Sequence, residues 1–200
     1  MEKQKKYDIF ISYRHSSGDY AGRLYDRLIS KGYSVCYDKD VYNHIANADL
    51  EQLTKNIVNC KDFILFLNNT TFRENIIVAL CRKVFNRPRP DWVKQEVLVA
   101  LGKGSMVDSI IIDDKHRKKI NIIPITYPDV ADMPKNLPAE IAEIAMIPAI
   151  KYSSYYYNAF VDSVLKRLLA TPKTHDYSIP RQNITREDIL LSTRNRMFDL

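Results

Sequence analysis

The sequence predicts an α/β chain, a parallel sheet with helices on both faces, and three observations carry that expectation. Short apolar stretches alternate along the chain with stretches of helical periodicity. One of them, Asp62 to Leu67 (DFILFL), is apolar almost throughout, as in a strand covered on both sides. The helical stretches also begin and end at residues that suit helix termini.

Taken in order, Asp8 to Tyr13 (DIFISY) reads as a short buried strand that ends at the polar Arg14, His15, Ser16 and Ser17. A helix follows, with Ala21, Leu24, Tyr25 and Leu28 at helical spacing and Gly32 as its stop. Tyr33 to Tyr37 is the second strand. After the polar stretch "DKDVYNHIANADL" comes a helix in which Asp49 can cap, Gln52 takes the third position, and Leu50, Leu53 and Ile57 form the core stripe. Asp62 to Leu67 is the third strand.

"FRENIIVALCRKVF" has helical periodicity, and Pro88 and Pro90 force a break before Asp91. The next helix runs from Trp92 to about Leu101 and stops at Gly102. Val107 to Ile112 reads as an extra strand or edge hairpin with Asp113 to Lys119 as its turn, and Ile120 to Thr126 as a central or edge strand whose Pro124 favours a strand end. Leu137 to Ala145 suggests a short helix and Ala149 to Tyr152 a last strand. Tyr156 to Leu169 closes the fold as a helix, with Phe160, Val161, Val164, Leu165 and Leu168 on one side. Tyr155, Tyr156 and Tyr157 could stack on bases, but at the start of that helix they are expected to pack against the sheet. Residues 1–6 are a basic leading segment and residues 171–200 a linker or tail, with at most one short helix near Ile184 to Ser192.

Composition narrows the class of function. The 200 residues are 46% hydrophobic and 27% charged, which suits one well-cored domain. The net charge of +6 gathers in short basic runs, Lys3 to Lys6, Arg82 to Lys94 and Lys115 to Lys119, which read as solvated surface before they read as a nucleic-acid footprint. Cys36, Cys60 and Cys81 show neither disulfide nor zinc spacing, so no metal site is expected and a reducing cytoplasm fits. The short apolar run at the start is too brief for a signal peptide or a membrane span. With five glycines the chain contains neither G-x-G-x-x-G nor a P-loop, which argues against a hydride-transferring dinucleotide enzyme and a P-loop NTPase.

In open α/β sheets ligands bind at the carboxyl ends of the strands. That rule selects Tyr13, Arg14, His15 and Ser16 after the first strand and Asp38, Lys39 and Asp40 after the second. "RPRPDWVKQEVLVAL" adds a carboxylate. At about 100° per residue, Val93, Val97, Ala100 and Leu101 make a buried stripe, and Glu96 falls on its edge, one turn after Trp92. An indole beside a partly desolvated carboxylate suits a cation such as the pyridinium of a nicotinamide nucleotide. Cleavage of that glycosidic bond releases a neutral base and leaves an oxocarbenium-like ribose, which one carboxylate can stabilise or capture.

"YDIFISYRHSSGDYAGRLYDRLISKGYSVCYDKD", "DFILFLN" and "DWVKQEVLVAL", in that order, resemble a Toll/interleukin-1 receptor (TIR) domain over residues 7–170, and in particular the NAD-cleaving branch with its bacterial antiphage effectors. The resemblance implies a flavodoxin-like five-stranded parallel fold. It implies hydrolysis or cyclisation of NAD+ as substrate with no cofactor, and a catalytic glutamate at Glu96. Tyr13, Arg14, His15, Asp38, Lys39, Asp40 and Trp92 match pocket positions. It further implies self-association with other TIR domains. A sensor domain or protein joined after the tail is a further candidate partner. The loop "DKDVYNHIANADL" departs from the family by lacking a glycine or proline.

Other readings stand beside these. Glu96 alone could be a solvent-exposed helical residue. Arg14 can grip phosphate or pair with Asp38 or Asp40; His15, without a partner, reads as a loop residue. A TIR scaffold that recruits other TIR domains and cleaves nothing is the alternative function. A phosphorelay receiver would need an aspartate where the third strand ends in Asn68 and Asn69, so that reading fails.

Overall fold

The computed structural model describes residues 7–14, 18–37, 47–72, 91–104, 119–128, 130, 133–134 and 137–173, with 47–49 as backbone alone. Apart from Phe72 and Lys119, the stretches read as a helix at residues 72–85 and as a strand at 107–112 with its turn at 113–119 lie outside these residues, as do residues 1–6 and 174–200.

Five parallel strands form one sheet: β1 (Ile9–Ser12), β2 (Val35–Tyr37), β3 (Asp62–Leu67), β4 (Asn121–Thr126) and β5 (Ile150–Lys151), in the order β2-β1-β3-β4-β5. This is the flavodoxin-like α/β architecture the sequence predicts. Alternation along the strands builds two cores. Ile9 and Ile11 of β1, Ile64 and Phe66 of β3 and Ile123 and Ile125 of β4 meet Ala21, Leu24 and Leu28 of α1 (Gly18–Ser30) and Phe160, Val161 and Val164 of the closing helix Tyr157–Leu165. On the other face, Phe10, Phe63, Leu65 and Ile122 meet Leu53 and Ile57 of α2 (Asn47–Asn59), Val93, Val97 and Ala100 of α3 (Trp92–Leu101) and Ile141 and Ile144 of a 3₁₀ helix, Ala139–Met146. The closing helix is α4.

Both edge strands are short, three residues in β2 and two in β5, which limits the open ladder on either side. Pro124 lies mid-strand in β4, opposite Leu65, and not at a strand end. Thr126 O accepts from Tyr152 N on the β5 side, and by alternation Pro124 faces the same way. Pairing with β5 begins only at Ile125, so the missing N–H interrupts nothing.

Helix ends follow the sequence closely. Gly32 (φ 84°) and Gly102 (φ 85°) take left-handed conformations. Each closes a Schellman motif: Tyr33 N donates to Leu28 O and Gly32 N to Ile29 O, and Lys103 N donates to Leu98 O and Gly102 N to Val99 O. A Cβ on Gly32 would also lie 2.9 Å from Lys173 O. Gly32→Ala is therefore expected to lower the unfolding free energy by about 1–2 kcal/mol, measured by urea denaturation.

Several elements differ from expectation. α2 starts at Asn47, two residues before Asp49, so Asp49 lies inside the helix, and Gln52 Nε2 donates to Asn56 Oδ1 one turn on at 2.9 Å. The chain at 139–146 tightens to 3₁₀. Of the three consecutive tyrosines only Tyr157 packs against the sheet core; Tyr155 and Tyr156 are 85% and 67% exposed, because α4 begins after them.

The amino ends of the central strands hold a buried clasp. Asp62, fully buried, accepts from Asn121 Nδ2 (2.7 Å), Leu169 N (2.9 Å) and Ala170 N (2.7 Å), while Asn121 Nδ2 also donates to Arg167 O (2.8 Å). One carboxylate thereby ties the chain leaving α4 to β3 and β4. Beyond it Lys173 N donates to Gly32 O at 2.9 Å, so the described part of the tail runs back along the domain. Beside the clasp, burial foremost, then the nearby Asp62 and Cys36, push the Cys60 thiol far up. Cys60 is expected to stay protonated and unmodified by a thiol reagent at pH 8 in the native state and to react at once in guanidinium.

Candidate active site

The chain leaves β1 for its neighbour on one side, β2, and then crosses to the neighbour on the other, β3. Strand order therefore reverses at β1, and open α/β sheets bind ligands beside the carboxyl ends of the strands at such a point. The polar residues at the tips of β1 and β3, with the start of α3, make up the site.

α3 is positioned by its first turn. Asp91 Oδ1 accepts from Lys94 N at 3.2 Å, an N-cap that satisfies one of the helix's open donors. Asp91 Oδ2 accepts from Arg14 Nη2 at 2.5 Å, and Arg14 Nε donates to Thr71 O at 2.6 Å. Thr71 is held in turn, because its Oγ1 accepts from Asn68 N at 2.7 Å and donates to Asn68 Oδ1 at 2.9 Å. One guanidinium thus joins the tip of β1, the turn after β3 and the cap of α3. Farther along, Lys94 pairs with Glu140 (2.7 Å) and Lys103 with Glu143 (2.8 Å), which fasten α3 to the 3₁₀ helix. The hydrogen bond from Lys94 holds the Glu140 carboxyl below its usual range.

Helix α3 turns Glu96 inward. Its side chain is 1% exposed, buried beside Val93, Val97, Val99 and Ala100. Ser12, the last residue of β1 and also 1% exposed, donates from Oγ to Glu96 Oε2 at 2.5 Å. A carboxylate removed from water is costly unless it is hydrogen-bonded. Glu96 has such a bond, and it does not lie on a solvated face.

Trp92 begins α3 one turn earlier and is half-buried. Arg14 sits at the tip of β1 and forms an ion pair with Asp91, because the start of α3 stands over the strand end. Tyr13 points the other way. Its ring is 6% exposed in the core under α1 and stacks on Tyr37 at 4.9 Å, on the opposite face of the sheet from Glu96. Strand alternation requires this, since Ser12 takes the α3 side. His15, Asp38, Lys39 and Asp40 lie outside the described residues. Sequence reasoning missed Ser12, Thr71 and the second role of Asp91. Ser12 could have been found, as the one hydroxyl on the α3 face of an apolar strand.

Among the described residues no group of three His, Cys, Asp or Glu side chains could hold a metal ion, and no helix is long and apolar enough to cross a membrane.

A parallel sheet in the order β2-β1-β3-β4-β5 with helices on both faces is the fold of a TIR domain. The solved structures it resembles include the TIR domains of the activated Roq1 resistosome recognising the pathogen effector XopQ, with TM-score 0.50 and 15% identity over 80% of this chain and 98% of that one. A metazoan TIR-STING receptor from C. gigas in complex with 2′,3′-cGAMP is similar too, with TM-score 0.51 and 17% identity over 84% of this chain and 41% of that one. In sequence the chain is 28% identical over 166 residues to the NAD(+) hydrolase SARM1 of Danio rerio, a match over 82% of this chain that spans a fifth (20%) of that protein's length. No protein-family model matches the chain.

Proposed function

We propose that this chain is an NAD+ glycohydrolase of the TIR type. The observation that carries the reading is the buried Glu96 carboxylate at the strand-order switch point, held by Ser12 and preceded one turn earlier by Trp92. Similarity to an NAD(+) hydrolase supports it.

In this reading the bond between ribose C1′ and the nicotinamide nitrogen breaks with its electron pair leaving on the ring. Neutral nicotinamide departs without an acid. Positive charge develops on the ribose, and Glu96, as catalytic residue, stabilises that cation through space or captures C1′ until water, or the adenine ring of the same molecule, takes its place. The products are nicotinamide with ADP-ribose or a cyclic ADP-ribose. Because Glu96 is desolvated, its field on the cation is stronger than it would be in water.

Trp92 offers an aromatic wall to the pyridinium. Arg14 spends two donors on Thr71 and Asp91, and the rest of its planar fork can meet a phosphate. His15, Asp38, Lys39, Asp40 and the backbone at Tyr13 complete the substrate pocket. NAD+ is the substrate and no cofactor or metal takes part. The domain covers residues 7–170, works in the cytoplasm as a bacterial immune effector, and is switched on by self-association, with a sensor joined after residues 171–200.

The test is direct. Purified protein incubated with NAD+, alone and forced to oligomerise, should release nicotinamide, with the second product identified by chromatography. A protein that oligomerises yet releases none would leave the scaffold reading, in which the same surfaces only recruit other TIR domains.

A further inference from the structure

We infer that Ser12 is a positioning residue for Glu96, fixing the plane of its carboxylate so that the charge faces the developing ribosyl cation; the inference rests on the glycohydrolase reading of the site. Ser12 and Glu96 are 84 residues apart in sequence and are both buried, and Oγ donates to Oε2 at 2.5 Å. A glutamate carboxylate turns readily about its last side-chain bond. With Oε2 held by the Ser12 hydroxyl, that rotation is restrained.

Ser12 suits the task because of where it sits. It is the last residue of β1, which pairs with β2 through Ile9, Phe10 and Ile11 and with β3 through Ile9 to Ser12, so the hydroxyl projects from a strand held on both sides. Sites built on strands hold geometry more tightly than sites built on loops. The other end of the lever is equally fixed: Glu96 stands on the second turn of α3, whose cap Asp91 is clamped by Arg14, the residue two places after Ser12. The tip of β1 therefore sets both the helix and the carboxylate it carries. Alanine at position 12 would keep the strand and the clamp but take the Oγ donor away from Oε2.

Nicotinamide release from NAD+ by S12A, S12T and E96Q, under the conditions in which the wild type turns over, tests this. S12A should lose about 10- to 100-fold in kcat, the scale for losing a hydrogen bond to a charged group, with KM within about 3-fold. S12T, which keeps the hydroxyl, should recover most of the rate. In protein labelled with ¹³C at glutamate carboxyl carbons, the resonance missing from E96Q should move in S12A and return toward its wild-type position in S12T. An S12A protein as fast as wild type beside an inactive E96Q overturns the Ser12 inference alone. So do equal losses in S12A and S12T, or a carboxyl resonance that S12A leaves in place. Full activity in E96Q overturns the reading of the site and Ser12's part with it.

Discussion

Replacing Glu96 with glutamine is expected to reduce nicotinamide release by about 10³-fold or more, or about 4 kcal/mol of transition-state stabilisation. The side chain keeps its shape, and its amide oxygen can still accept from Ser12, so the fold should survive. Only the charge is lost. Since the leaving group is neutral and needs no proton, the ribosyl cation is the centre where charge appears during the reaction, and a neutral amide in a desolvated position offers it little. Burial makes the contrast sharp, because Glu96 is 1% exposed and water cannot substitute for the missing charge. Circular dichroism and thermal melting should show a variant as stable as the parent or more so, since removing a buried charge also removes its desolvation cost. Steady-state release within 10-fold of wild type would show that another group carries the chemistry.

The largest effect on stability is expected at the opposite end of the sheet. Asp62→Ala would leave three donors, Leu169 N, Ala170 N and Asn121 Nδ2, without their shared acceptor. Ala170 N is buried, Leu169 N partly so, and Asn121 Nδ2 keeps Arg167 O; an orphaned donor costs about 1–3 kcal/mol, partly relieved if water enters the gap, so a total loss of about 2–4 kcal/mol is expected. At about 2–4 °C per kcal/mol for a domain of this size, the melting temperature should fall by about 10 °C. Asp62→Asn should lose roughly half as much, because one acceptor oxygen remains. The chain after α4 would be released first, so hydrogen exchange at Leu169 and Ala170 should quicken more than at the β1 amides. A melting temperature within 2 °C of wild type would deny the clasp its role.

Much of this architecture is legible before any coordinates. Periodicity and capping chemistry act over a few residues, so α3 and β3 come out with the ends the sequence predicts, Trp92 to Leu101 and Asp62 to Leu67. Gly32 and Gly102 mark helix ends because a left-handed turn strains any residue with a Cβ. Errors arise where long-range packing decides. Pro124 is mid-strand because β5 starts too late to need its N–H, and Tyr155 and Tyr156 stand in solvent because α4 begins beyond them.

The candidate site divides along the same line. Local spacing places Trp92 and Glu96 one turn apart and puts polar residues directly after β1, and both follow from a fixed rise and rotation per residue. Which groups then meet is a matter of topology. Arg14 reaches Asp91 across 77 residues and Ser12 reaches Glu96 across 84, because strand order reverses at β1 and lays α3 over its tip. The turn of Tyr13 away from Glu96 has the same origin. Alternation assigns neighbouring residues to opposite faces, but only the packed helices say which face carries the carboxylate.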